Sequence, residues 1–175
     1  MFSAGQDATI RLIAASLKLL GDNPELQQEL RGRPERLPAF IEEALRFDPP
    51  AKVNFRLARV RTQVSGVDIA PGTILMLMTA AANRDPDRFE RPNEFIMDRP
   101  NISQHLAFGR GAHSCIGAPL TRAEVRIALH HLLERTSEIR ISERKHGPPS
   151  ARRYDYVPRY TTRGLRELHL EVTAA

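Results

Sequence analysis

Tryptophan is absent from the sequence, tyrosine occurs three times, and there is a single cysteine. One cysteine excludes an internal disulfide framework and suits a reducing compartment, so a cytoplasmic location is expected. Structural zinc needs about four Cys or His ligands in paired spacing. His105, His113 and Cys115 do not supply that spacing. No nucleic-acid recognition motif with aromatic residues interleaved among the basic ones is present, so no nucleic-acid partner is expected. Long apolar runs are also missing. The stretch from Ile10 to Leu20 is interrupted by Arg11 and Lys18 and is too short to span a bilayer, so neither a membrane anchor nor a secretion signal is expected.

What is present reads as one globular unit over residues 1–175, with 41% hydrophobic and 27% charged residues. Lys and Arg number 26 against 21 Asp and Glu, and the excess is spread along the chain. That spread argues only weakly for an acidic partner.

Helical spacing of Ile10, Ile13, Ala14, Leu17 and Leu20 predicts a first helix, with Gly21 as its stop. Asn23-Pro24 predicts a capped helix through Arg31, and Pro38 opens another that must end near Phe47 before Asp48-Pro49-Pro50. Alternation from Val53 to Leu57 predicts a strand, followed by strands over 64–69 and 73–78. Residues 84–100 read as an ordered loop with short helical turns, and 116–135 as a helix. The tail from Ser137 to Val172 reads as strands joined by basic loops, of which 144–153 is expected to be exposed.

The segment Phe108-Gly109-Arg110-Gly111-Ala112-His113-Ser114-Cys115-Ile116-Gly117 sets the only thiol among three glycines, just before a predicted helix. Glycine permits backbone angles barred to other residues and lets amide N–H groups approach a sulfur. The positive end of the following helix favours a thiolate. A metal held by one Cys draws its other ligands from elsewhere, and haem does so through its porphyrin nitrogens.

This segment resembles the haem-ligand signature of the cytochromes P450, Phe-Gly-x-Gly-x-His-x-Cys-x-Gly, and matches it throughout. The resemblance implies haem b (iron protoporphyrin IX) bound by Cys115 as axial ligand of the iron. It also places Phe108, Gly109 and Gly117 around the sulfur, with His113 reaching a haem propionate. Arg122 and Glu124 match the helix that follows in the family.

Glu43-Ala44-Leu45-Arg46 puts a carboxylate and a guanidinium on one helix face. In the family this element joins an arginine from a Phe-x-x-x-Arg loop, here Phe95 to Arg99, which implies a buried structural network of Glu43, Arg46 and Arg99. Arg56 stands eleven residues before Val67, as the family's propionate-binding arginine does before its Gly-Val-x-Ile turn.

Ala4-Gly5-Gln6-Asp7-Ala8-Thr9 resembles the motif of the helix that crosses the family's oxygen-binding face. Asp7 matches the acidic residue of proton delivery. Ala8 departs from the family, standing where a threonine hydroxyl is usual, and Thr9 lies about 100° further around the helix.

The resemblance therefore implies a mainly α fold with small β-sheets (α+β), the C-terminal portion of the cytochrome P450 fold, with Met1 inside the oxygen-binding helix. The implied function is a haem-thiolate monooxygenase that oxidises a small apolar substrate with dioxygen and electrons from a ferredoxin or reductase. Val53 to Phe55 and Tyr160 to Thr162 match segments that line the family's pocket, and Arg110 and Arg126 are candidates to meet the electron donor. Family members are more than twice as long, so a separate N-terminal half is a further expected partner. The alternative is a fragment without catalysis, at best a haem-binding module.

Overall fold

The computed structural model describes residues 2–175, with side chains from residue 5 onward, so Met1 lies outside the described residues. Helix α1 (Phe2–Asp22) is the spine. Its residues Leu12, Ser16 and Leu20, one turn apart, are all fully buried. Helices α2 (Pro24–Gly32), α3 (Leu37–Phe47) and α5 (Ala118–Arg135) pack with it around one core. Leu30, Phe40, Val125 and Leu129 join Leu12 and Leu20 there.

The helix over 9–20 continues through Gly21 to Asp22, so Gly21 is not a stop. A Cβ on Gly21 would lie 2.6 Å from Ile141 Cδ1, so its role is close approach of α1 to strand β5 (Thr136–Ile141). The C-terminal cap comes instead from Asn23, whose Nδ2 donates to Leu19 O at 2.6 Å. Asn23 precedes Pro24 as expected but makes no side-chain cap bond to α2. Pro38 sits in the first turn of α3, where a missing N–H costs nothing.

Among the described residues the strands form three separate antiparallel pairs. Strand β1 (Asn54–Leu57) pairs with β4 (Ile74–Leu77), with Asn54 opposite Leu77 and Leu57 opposite Ile74. The stretch 64–69 is not one strand. It is split between β2 (Thr62–Val64) and β3 (Val67–Ile69) by a two-residue turn at Ser65 and Gly66, whose φ values are 48° and 81°. Two successive positive φ angles match the right-handed strand twist of a tight hairpin, which the alternation rule could not see through. The third pair joins β5 to β6 (Leu170–Ala174).

Helix α4 (Thr79–Ala82) and α6 (Glu143–His146) are single turns. The basic stretch 144–153 is not wholly exposed. His146 is buried, with Nδ1 3.1 Å from Arg153 O and Nε2 accepting from the His169 N–H at 2.9 Å. Arg152 reaches Asp22 at 3.3 Å, which ties the segment to the end of α1. Among the described residues, no helix is long and apolar enough to cross a membrane.

Candidate functional site

The loop between residues 105 and 117 is shaped by its backbone. Gly109 and Gly111 adopt φ of 68° and 80°, which an L side chain rarely does. They let the chain turn so that the Cys115 N–H donates to Phe108 O at 2.9 Å and Ser114 N–H to Gly111 O at 3.0 Å. Gly117 then caps α5, and the Thr121 N–H returns to its carbonyl at 2.9 Å.

Cys115 is exposed at the entrance to α5. A Cβ on Gly117 would lie 3.7 Å from its Sγ, so a larger side chain there would begin to cover the sulfur. Beside it stand two strongly exposed aliphatic residues, Ile116 at 82% and Leu120 at 63%. An accessible thiol with apolar shoulders and a helix start behind it could hold a large flat cofactor through one sulfur. His113 and Arg56 are also exposed. Arg56 spends one donor on its neighbour's carbonyl, Phe55 O, at 2.8 Å, and among the described residues it has no carboxylate partner.

Behind the loop lies a charged brace that periodicity did not indicate. Glu42 accepts both Arg122 Nε at 2.5 Å and Arg122 Nη2 at 2.8 Å, and its Oε2 is 3.0 Å from His105 Nε2. The Ala107 N–H donates to His105 Nδ1 at 3.2 Å, so Nε2 carries the proton given to Glu42. The Arg122 guanidinium lies 4.6 Å over the Phe108 ring, and Phe108 supplies the carbonyl that holds the Cys115 amide. Burial alone would push the Glu42 carboxyl up. The bonds from Arg122 and His105 override it and bring it down to about 2. Only a sequence signal of the weakest kind, two adjacent acids on α3, pointed to Glu42.

Glu43, Arg46 and Arg99 are brought together and buried, at 0%, 0% and 6% exposure. Glu43 Oε1 accepts from Arg46 Nη2 at 2.7 Å, Arg99 Nε at 3.0 Å and the Ile96 N–H at 2.8 Å, while Oε2 accepts from Arg46 Nε at 2.7 Å. Two guanidiniums on one carboxylate leave an excess positive charge. It is met by carbonyl dipoles: Arg46 donates to Asn83, Pro92 and Glu94, and Arg99 to Glu90, Arg91 and Glu94.

On α1 the three candidate residues diverge. Asp7 is clamped by Arg11 through bonds of 2.8 and 2.9 Å, with Arg159 a further 3.4 Å away. The Arg11 guanidinium holds its carboxyl below the usual range. Thr9 is buried, donates to Gly5 O at 2.9 Å and meets Thr121 Oγ1 of α5 at 3.4 Å. Ala8 carries only a methyl group, and the hydroxyl of Thr9 is committed elsewhere.

The two segments singled out as pocket lining meet. Phe55 stacks on Tyr160 with centroids 6.2 Å apart and planes 12° from parallel, and the Tyr160 hydroxyl is 3.2 Å from Met76 Sδ. Arg110 and Arg126 are exposed.

The cytochrome P450 family model matches residues 1–150. Cytochrome P450 144 of Mycobacterium tuberculosis is 43% identical over 143 residues, 82% of this chain and 33% of that protein. The putative cytochrome P450 YjiB of Bacillus subtilis is 43% identical over 131 residues, 74% of this chain and 33% of that protein. In three dimensions the chain resembles substrate-free CYP150A6 of Mycobacterium marinum, with a TM-score of 0.97 and 52% identity, over 99% of this chain and 43% of that one. The chain thus spans about a third of the length of the curated relatives it matches.

Proposed function

Because the chain belongs to the cytochrome P450 family, whose members are generally haem-thiolate monooxygenases, we propose that it is the haem-holding portion of such an enzyme, acting on a small apolar molecule. The observation that carries this reading is the exposed Cys115 thiol in its glycine-bounded loop at the start of α5. Haem, when bound, would supply the iron for a reaction in which one atom of dioxygen enters the substrate and the other leaves as water, with uptake of two electrons and two protons.

The chain's own residues divide the remaining work. Cys115 donates thiolate electron density, and the Phe108 carbonyl and Gly109 and Gly111 turns fix the loop that carries it. Arg56 and His113 present exposed donors suited to carboxylates. The Glu43, Arg46 and Arg99 network holds the 83–99 segment against α3. Proton handling is the unusual part. Asp7 is ionised within its pair with Arg11, so it accepts a proton only when that pair opens, and Ala8 offers no hydroxyl. With haem bound, a water or a substrate hydroxyl would have to supply the donor at that position. Phe55, Tyr160 and Met76 form the wall nearest substrate, an apolar surface in keeping with an apolar molecule. Electrons come from a ferredoxin or reductase, for which the exposed Arg110 and Arg126 are the docking candidates.

The test is reconstitution of the chain with haem, followed by reduction and addition of carbon monoxide. A Soret band at the thiolate-ligated position is expected from the parent, and its loss from Cys115→Ser. Absence of that band in the parent at high protein concentration refutes the assignment of Cys115. A band without turnover, even with an electron donor, would favour a haem-binding module without catalysis.

A further inference from the structure

Away from Cys115, a half-open cavity of about 410 Å³ lies where the end of α3 meets α4 and the 156–163 segment. Four cations line it, Lys18, Lys52, Arg84 and Arg163, with Asp48 as the single carboxylate. Their charges are poorly matched within the protein. Among the described residues Lys52 and Arg84 have no carboxylate within ion-pair distance. Lys18 is 3.5 Å from Asp22, which also serves Arg152 at 3.3 Å, so one carboxylate answers two cations. Only Arg163 has its own partner, Asp48, at 3.0 Å.

The two guanidiniums are held in fixed planes. Arg84 lies 4.1 Å over the Phe47 ring and bonds Phe47 O at 2.6 Å and Asn93 Oδ1 at 3.0 Å. Arg163 lies 3.9 Å over the Tyr156 ring. Burial, and then repulsion from Arg46, pull Arg84 below the usual arginine range against the opposing pull of Asp48 and Glu43. A concentration of pre-set cations around an open volume favours an anion, and the lining's excess charge favours one of high valence.

We infer that this cavity is a binding site for a small polyvalent anion carrying two linked phosphates. Four cations against one carboxylate leave roughly three positive charges, lowered by the share Lys18 takes of Asp22. One phosphate group brings about −1.5 to −2 charges and undershoots; two linked phosphates match. Ala80 and Ala81 supply a small-residue wall that leaves room for the ligand. The site is separate from the haem-thiolate reading and stands or falls without it.

Titration calorimetry of the full chain with inorganic pyrophosphate at low ionic strength tests the inference, with inorganic phosphate and sulfate alongside. Saturable binding at one site is expected, at least tenfold tighter for pyrophosphate than for phosphate or sulfate. Ala81→Glu adds a carboxylate to the wall while removing no bond, and it should weaken pyrophosphate at least tenfold. Arg84→Met should do the same, with circular dichroism confirming the fold. Lys145→Met, which lowers the net charge equally but lies off the cavity, should change affinity less than twofold. The inference is overturned by absence of saturable binding, by equal affinities for the three anions, by an unaffected Ala81→Glu, or by a Lys145→Met as weak as Arg84→Met.

Discussion

Replacing Glu42 by glutamine keeps the side chain's shape and removes the charge that binds α3 to α5 and to the turn before the thiol. Three short bonds run to it, two from Arg122 and one from His105. The carboxyl's fall from 4.5 to about 2 gives the scale. At 1.36 kcal/mol per unit the upper bound is about 3 kcal/mol. Partial exposure of Glu42 and Arg122 reduces that to about 1–2 kcal/mol after solvent screening. The folded-state value lies below the unfolded one, so the contribution is fully present above about pH 4.5 and is lost as pH falls toward 2. Urea unfolding of the chain and Glu42→Gln, followed by circular dichroism from pH 7 to pH 2.5, should give curves separated by about 1–2 kcal/mol at pH 7 that converge below pH 4.5. In the haem-loaded protein the variant should also lose part of its thiolate-type carbon monoxide band, because Arg122 no longer holds its plane over Phe108. A pH-independent separation, or one under about 0.3 kcal/mol at pH 7, would refute the reasoning.

Glu43→Ala should be far more damaging, at about 3–5 kcal/mol, because it strands two buried guanidiniums with carbonyls alone; loss of cooperative unfolding in circular dichroism is the expected readout. Gly164→Ala places a Cβ 2.8 Å from Arg11 Cγ, which should cost about 1–3 kcal/mol in urea unfolding. The same change in an Arg11→Ala background should cost less than half as much, since the clash is with Arg11 alone among the nearest atoms.

Much of the fold was legible because short-range rules decided it. Apolar spacing of 3.6 gave away α1, α3 and α5, and Asp48-Pro49-Pro50 forced the end of α3. The thiol's setting was equally local, since the turns at Gly109 and Gly111, the amide bond to Phe108 and the helix start all lie within a dozen residues of Cys115. Glu43 and Arg46 pair within one helical turn for the same reason.

What the sequence left open were questions of partnership across the chain. Periodicity says which face of a helix is buried and nothing about what covers it. Gly21 ends the apolar pattern in the sequence, whereas in the fold it lets β5 pack against α1. Glu42 finds Arg122 eighty residues on, Asp7 adds Arg159 to its local pair with Arg11, and Thr9 turns to Thr121 on α5. The cavity cations come from four separate segments and converge only because α3, α4 and the tail meet at one corner. An ionisable side chain takes its state from its burial and from the charges and hydrogen bonds that folding brings within a few ångströms, and for partners far apart in sequence those are set by the tertiary structure.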